Sequence, residues 1–120
     1  MRRIDFTSTA RRDIAAALRT SRRQFGDAAV ARYSALLKQA YADLRADPER
    51  AGVSMWRNES RLGLYHLRHA RSRLPSAKRV GAPRHIIAFK ADTQRILIVR
   101  VLHDSMDIDS HLDAESDNDG

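Results

Sequence analysis

Cysteine is absent from the 120-residue sequence, and no part of the sequence is apolar over a long stretch. A chain without cysteine has no disulfide framework, no thiolate metal site and no cysteine nucleophile, which suits a reducing compartment. A membrane-spanning helix needs roughly 18 consecutive apolar residues, and no segment approaches that length. The basic N-terminus also lacks the apolar stretch and cleavage site of a signal peptide. We therefore expect one cytoplasmic domain of ordinary size that does not contact a membrane.

Lysine is scarce, although the sequence is strongly basic. Only three of its 22 basic residues are lysine, and the formal net charge is +7. Seven of the 15 acidic residues lie between Asp104 and Gly120, where there is no Lys or Arg. The sequence before that segment therefore contains all 22 basic residues and only eight acidic ones. Arginine suits partners that present carboxylates or phosphates, because its guanidinium donates two parallel hydrogen bonds to either. A GC-rich coding sequence, which favours arginine over lysine, would give the same composition without any functional meaning.

The first half of the sequence predicts a strand followed by two helices. Residues 2–6 alternate between polar and apolar side chains, as strands do. Apolar residues then recur every three or four positions in two segments separated by Gly26 and Asp27, which are typical of a helix end and a helix start. Pro48 ends the second helix. Because the connection is so short, we expect the helices to fold back on each other as an antiparallel hairpin.

The second half has the period-two pattern and the β-branched residues of strands. It predicts strands at Leu62–Leu67, Arg84–Lys90 and Arg95–Leu102. The last of these is almost continuously apolar, which is typical of a strand near the centre of a sheet with a neighbour on each edge. We predict an α+β domain, residues 1–112, in which the helix hairpin covers one face of a mostly antiparallel four-stranded sheet and the other face is partly bare. We expect residues 113–120 to form an acidic disordered tail.

Four short segments resemble parts of a known family. They are the helix junction Phe25-Gly26-Asp27-Ala28-Ala29, the pair Arg32-Tyr33, the helix exit Ala46-Asp47-Pro48, and the run from Arg100-Val-Leu-His103 through Met106-Asp107 to His111-Leu112. In this order they are similar to the ParE branch of the ParE/RelE toxin superfamily, over residues 2–112. The resemblance implies the RelE/ParE-like fold and a toxin of a type II toxin–antitoxin system, held in a hetero-oligomer by a cognate ParD-like antitoxin. It further implies DNA gyrase as the target, and operator DNA bound only through the antitoxin.

The RelE branch of the superfamily instead cuts messenger RNA on the ribosome, and the tyrosines bear on this alternative. Resemblance to that branch would imply a C-terminal tyrosine and basic strand residues that carry out the cleavage. Tyr33, Tyr41 and Tyr65 are the only tyrosines of the sequence, and none follows the last predicted strand. We therefore predict an inhibitor that acts by binding and needs no cofactor, whereas a nuclease would depend on Arg100 and His103. A non-toxic family member that serves as a binding module is the third alternative.

Arg100 interrupts the apolar last strand, and a charge that points inward must be paired. It is either a functional cation at the active surface or, as we prefer, a structural residue paired with Asp107 or another carboxylate. The chain after this strand contains five potential metal ligands: His103, Asp104, Asp107, Asp109 and His111. Their spacing matches no established ligand set, so we expect no metal and interpret Met106 and Asp107 as residues that fix the exit of the chain from the strand.

The segment from His69 to Pro83 connects two predicted strands and is long and basic. It is either a solvated linker or, as we prefer, a contact surface for nucleic acid or an acidic antitoxin segment, with Leu74 and Val80 as its apolar anchors. Trp56 is predicted to fill the core rather than to contact the antitoxin. The residues that we predict to bind the target or the antitoxin are Arg68, Arg71, Arg73, Arg79, Arg84, Arg100, His103, Met106 and Asp107.

Overall fold

A pair of long helices and a five-stranded sheet form most of the molecule. The computed structural model describes residues 2–57 and 61–117. The elements are β1 (Arg3–Phe6), α1 (Ser8–Phe25), α2 (Asp27–Ala46), β2 (Val53–Met55), β3 (Gly63–His66), α3 (Arg68–Arg71), β4 (His85–Ala91), β5 (Arg95–His103) and α4 (Ile108–Asp117). This order confirms the predicted α+β architecture. None of the helices in the described residues combines the length and the apolar character that crossing a membrane requires.

Helix α1 begins and ends where its sequence dictates. The Thr7 hydroxyl accepts a hydrogen bond from the N–H of Ala10 at 3.0 Å and donates one to the carbonyl of Val99 at 2.7 Å. It therefore caps the helix and also joins it to β5. Gly26 has a φ of +88°, a conformation that favours glycine, and its N–H donates to the carbonyl of Arg22 at 2.9 Å. Helix α2 follows at once, as the predicted hairpin requires.

The sheet has the strand order β1-β5-β4-β3-β2. Strand β1 runs parallel to β5, and the other neighbours are antiparallel. Strand β5 thus has a partner on each edge, as its apolar sequence predicted. The predicted count of four strands was one too few, because β2 lies between Pro48 and Leu62, where the sequence pattern predicted no strand. Only three residues of β2 pair with β3, and so short a strand gives no period-two pattern.

Each face of the sheet has its own core. The core under the helix hairpin includes Leu36, Leu37, Leu44, Tyr65, Leu67, Ile87, Ile96 and Ile98. The core on the opposite face consists of Trp56, Leu62, Ala88, Val99, Leu102 and Leu112. The second face is therefore covered only in part, because Leu64 and Leu97 remain partly exposed, and the expectation of a partly bare face is not contradicted. Helix α4 folds back over part of this face and buries its own Leu112 completely. This burial removes the Leu112 side chain from water.

A register shift between β4 and β5 changes which residues of β5 face each core. Ile96 and Ile98 lie in the core under the hairpin. With strict alternation, Arg100 and Leu102 would be the next residues on this face of the sheet. The shift opposite the Ala88/Phe89 step of β4 breaks the alternation. Val101 consequently joins Ile96 and Ile98 in the first core, whereas Leu102 lies in the second.

Helix α4 begins at a side-chain cap and extends into the segment that we expected to be disordered. The Asp107 carboxylate accepts hydrogen bonds from the N–H and the hydroxyl of Ser110, at 3.3 and 2.7 Å. Residues 113–117 of the expected tail are helical in the structure. Residues 118–120 lie outside the described residues, so the tail beyond the helix stays a prediction.

Candidate functional site

A groove with a volume of about 490 Å³ lies between the helix hairpin and the start of β4. It is lined by Ala17, Thr20, Ser21, Gln24, Phe25, Ala29, Arg32, Tyr33, Val80, Gly81, Ala82, Arg84, His85 and His103. Phe25 is 73% exposed, although it is a large hydrophobic residue. With Ala17, Ala29 and Val80 it forms an apolar strip in a concave surface, which is typical of a surface that binds a partner.

Three rings, those of Tyr33, His85 and His103, follow one another along the groove. The Tyr33 hydroxyl and His85 Nδ1 form a short hydrogen bond. The His85 ring meets the Tyr33 ring and the His103 ring edge to face, with centroids 5.4 and 5.2 Å apart. His103 Nδ1 in turn accepts a hydrogen bond from the N–H of Ser105 at 3.1 Å. Neutral His103 therefore carries its proton on Nε2.

The Tyr33 and His85 side chains are both uncharged at neutral pH. Burial and, to a smaller extent, the neighbouring His103 lower the pKa of His85 to about 4, against the opposing effect of Asp104. Burial likewise raises the pKa of Tyr33 well above its usual value. Two arginines, Arg32 and Arg84, also line the groove and carry positive charge.

Asp104 connects the end of β5 to the start of β4 and to β3. Its carboxylate accepts hydrogen bonds from Arg84 Nε at 2.8 Å and from His66 Nε2 at 3.0 Å. Its N–H donates to the carbonyl of Arg84 at 2.7 Å. Desolvation opposes the ionisation of this carboxyl, but the hydrogen bonds from His66 and Arg84 outweigh it and hold the pKa of Asp104 below its usual value. These contacts fix the position of Arg84 at the edge of the groove.

The sequence matches a known protein family over most of its length. The family model described as the ParE toxin of the type II toxin–antitoxin system parDE matches residues 4–108. The chain belongs to the ParE toxin family. The match runs from β1 to the first residue of α4 and confirms the resemblance of the sequence. A search of curated proteins found no match.

Arg100 of the toxin lies on β5 but does not line the groove. Its side chain binds Asp13 of α1 through two hydrogen bonds, at 2.8 and 3.1 Å. The preferred interpretation, a structural arginine paired with a carboxylate, fits this geometry. The carboxylate is that of Asp13, however, and not that of Asp107, which caps α4 instead. The groove and the Arg100 ion pair are therefore separate features.

The basic segment before β4 is tied to the body of the toxin by its own arginines. Arg71 Nε donates to the carbonyl of Val80 at 2.6 Å, and Arg79 Nε donates to that of Leu74 at 2.8 Å. Arg73 forms an ion pair with the buried Asp43 of α2 at 2.7 Å. Leu74 and Val80 pack against the core under the hairpin, as their predicted role as anchors requires. Three arginines of this segment thus stabilise its conformation and its position on the toxin.

Asp43 is a buried acidic residue whose importance the sequence analysis missed. It accepts hydrogen bonds from Gln39 Nε2 at 2.9 Å and from the Tyr65 hydroxyl at 3.1 Å, and Arg50 lies 3.6 Å away. Burial and the Asp43 carboxylate together raise the pKa of Tyr65 to about 12. The sequence did contain a sign that Asp43 is buried. Asp43 lies within the apolar stripe of α2, three residues after Ala40 and next to the buried Leu44.

The five potential metal ligands after β5 do not converge. Among the described residues there is no group of three or more His, Cys, Asp or Glu side chains close enough to hold a metal ion. Asp109 instead accepts a hydrogen bond from Trp56 Nε1 at 2.8 Å. Trp56 is 6% exposed in the core under α4, so the prediction that it fills the core is confirmed.

Of the nine residues predicted to bind a target or antitoxin, the structure brings two to the groove. Arg84 and His103 line it. Met106 is 46% exposed near the turn before α4. Arg68 is exposed at the start of α3 and is not among the residues that line the groove. The sequence analysis missed Tyr33, His85 and Phe25 as site residues, because Tyr33 and Phe25 fit the apolar stripes of their helices and His85 lies in a strand.

Proposed function

We propose that the toxin inhibits DNA gyrase by binding to it, and that a cognate ParD-like antitoxin neutralises the toxin by occupying the groove. The observation that carries the proposal is the apolar strip of Phe25 and Val80 beside two arginines, Arg32 and Arg84. Membership of the ParE family supports it, since these toxins belong to toxin–antitoxin pairs. The chain and its antitoxin would form a hetero-oligomer.

The lining of the groove defines the chemistry of the antitoxin segment. Apolar side chains of an amphipathic helix or strand would pack against Phe25, Ala29 and Val80. Carboxylates at the edges of that segment would pair with Arg32 and Arg84, and arginine forms such pairs with good geometry. An acidic, amphipathic segment is therefore the expected occupant.

Two contacts support inhibition by binding over RNA cleavage. Arg100 and His103 are the residues on which a nuclease would depend. The Arg100 guanidinium binds Asp13 on the far side of β5 from α4, and His103 Nδ1 already accepts a hydrogen bond from Ser105. A general acid or base needs a nitrogen that reaches the reacting atom. The Arg100 ion pair would have to break before Arg100 could bind a phosphodiester, and His103 Nδ1 would have to leave Ser105 before it could act as a base.

The activity is tested by adding the purified toxin to gyrase and relaxed plasmid. We expect supercoiling to stop and cleaved DNA to accumulate, and the antitoxin to reverse both effects. Expression of the toxin without antitoxin should arrest growth, which shows that the chain is active. If supercoiling is nevertheless normal at saturating concentrations of the purified toxin, gyrase is refuted as the target. Codon-specific cuts in translated messages would then support the nuclease alternative. A chain that causes no growth arrest would be the non-toxic binding module.

The antitoxin site is tested with two exposed hydrophobic residues. Phe25→Ala should weaken antitoxin binding about tenfold or more, because a buried aromatic anchor commonly contributes about 2 kcal/mol to an interface. Met55→Ala is the matched control, since Met55 is 53% exposed on β2 and is not part of the groove. Isothermal titration calorimetry measures both affinities. Equal affinities for the two variants would place the antitoxin elsewhere.

A further inference from the structure

Helix α1 carries a row of arginines on the side opposite the core. Its core residues include the fully buried Ala10 and the partly buried Ile14 and Leu18. Arg12, Arg19 and Arg23 are all exposed. Their spacing of seven and four residues places them on one stripe of the helix, facing away from Ile14 and Leu18. The groove lies along a different side of α1, which carries Ala17, Thr20 and Gln24.

These three arginines differ from the other two of the helix. Arg22 forms an ion pair with Asp27 at 3.0 Å, and Arg11 lies over the Phe6 ring. Within the described residues, no hydrogen bond, ion pair or ring contact holds the guanidinium of Arg12, Arg19 or Arg23. The fold therefore leaves their charges and donors available to a partner.

The electrostatics of α1 also indicate an anionic partner. Asp13 is the only acidic residue among the 18 residues of α1, and its carboxylate is already bound to Arg100. Like charges four residues apart, such as those of Arg19 and Arg23, repel each other and destabilise a helix. A polyanion beside the stripe removes this repulsion, and arginine is well suited to phosphate.

We infer that the exposed stripe of α1 binds the phosphodiester backbone of duplex DNA directly. Arg12 and Arg23 are about 16 Å apart along the helix axis, and this length corresponds to about five nucleotide steps of one DNA strand at 3.4 Å each. The stripe contains no aromatic residue and no amide side chain for reading bases, so the contact is independent of sequence. This inference goes beyond the proposed function, which involves DNA only through gyrase or the antitoxin.

The inference is tested with the toxin alone and a fluorescent 20-base-pair duplex, at several salt concentrations. Fluorescence anisotropy should give micromolar affinity that falls steeply with salt. Each phosphate contact contributes about 0.9 to the slope of log K against log salt. The triple variant Arg12→Gln, Arg19→Gln, Arg23→Gln should therefore lose about 2.7 from this slope. The corresponding triple lysine variant should keep most of it, because the charge remains.

The matched control is the triple variant Arg3→Gln, Lys38→Gln, Arg61→Gln, which removes three exposed charges that lie outside α1, outside the groove and outside the basic segment before β4. We expect it to keep the slope of the unaltered toxin. Circular dichroism and the thermal midpoint verify that each variant is folded. The inference is overturned if the α1 variant keeps its slope, if the control loses as much, or if single-stranded RNA of equal length binds more tightly than the duplex.

Discussion

Arg100 on β5 and Asp13 on α1 form a bidentate ion pair that joins the helix layer to the sheet. Arg100 Nε donates to Asp13 Oδ2 at 2.8 Å, and Arg100 Nη2 donates to Oδ1 at 3.1 Å. The N–H of Val101 donates to Oδ2 at 3.0 Å. The two side chains are only 14% and 15% exposed. One carboxylate thus satisfies three donors beside the register shift of β5, largely away from water.

Removing the carboxylate of this pair should destabilise the toxin strongly. Asp13→Ala leaves the Arg100 guanidinium and the Val101 N–H without their acceptor, so we expect the free energy of unfolding to fall by about 3 kcal/mol. Urea unfolding followed by circular dichroism measures the change. Asp27→Ala is the control, because Asp27 pairs with Arg22 where both side chains are mostly exposed. Similar stability of the two variants would contradict the assigned role of Asp13.

Asp43→Ala should loosen the basic segment before β4 as well as lower stability. The substitution leaves Arg73 without its buried partner and removes the acceptor of the Tyr65 hydroxyl. We expect a loss of about 3 kcal/mol in the free energy of unfolding. We also expect faster tryptic cleavage between Arg71 and Arg79, because local opening becomes easier. Limited proteolysis with mass spectrometry identifies the cut sites, and unchanged cleavage rates in that segment would count against the prediction.

His85 should make the stability of the toxin depend on pH. Its pKa is about 4 in the folded toxin and 6.5 in its ordinary state. Between these pH values the unfolded chain binds more protons, so stability falls as the pH is lowered from 6.5 to 4 and is unaffected by His85 above 6.5. Because the ring is partly exposed, solvent screening reduces the effect to about 2 kcal/mol.

The control for this pH effect is His85→Gln, which can still hydrogen-bond to Tyr33 but does not titrate. Urea unfolding at pH 4.5 and 7 should give a smaller difference for this variant than for the unaltered toxin. His69, whose pKa is also lowered by burial, contributes equally to both proteins and cancels in the comparison. Identical differences in the two proteins would show that His85 does not titrate as stated.

Leu112→Ala should partly detach α4 from the sheet. Leu112 is fully buried beside Trp56, and truncation of a buried leucine costs about 2–5 kcal/mol. Because Trp56 is the only tryptophan of the sequence, its fluorescence reports on this core directly. We expect a red-shifted emission maximum together with the loss of stability. Ile108→Ala, at a partly buried position, should have a smaller effect on both, and the reverse order would contradict the packing described.

The regular elements could be predicted from the sequence because their signals are local. Gly26 adopts a positive φ at the position where α1 ends, and the apolar run around Ile98 has two neighbouring strands. The partners of charged residues could not be predicted, because Arg100 and Asp13 are 87 positions apart. The groove was missed for the same reason, since Tyr33 and His85 meet only when α2 packs against the start of β4.

The parallel pairing of β1 with β5 has a consequence for how the toxin is made. Ile4 pairs with Ile96, so the first strand has no partner until the last strand has been synthesised. Contacts over so large a sequence separation form late, because the loop entropy must be lost before they contribute. The nascent chain therefore cannot complete its sheet until β5 has been synthesised, and the finished fold forms only near the end of translation.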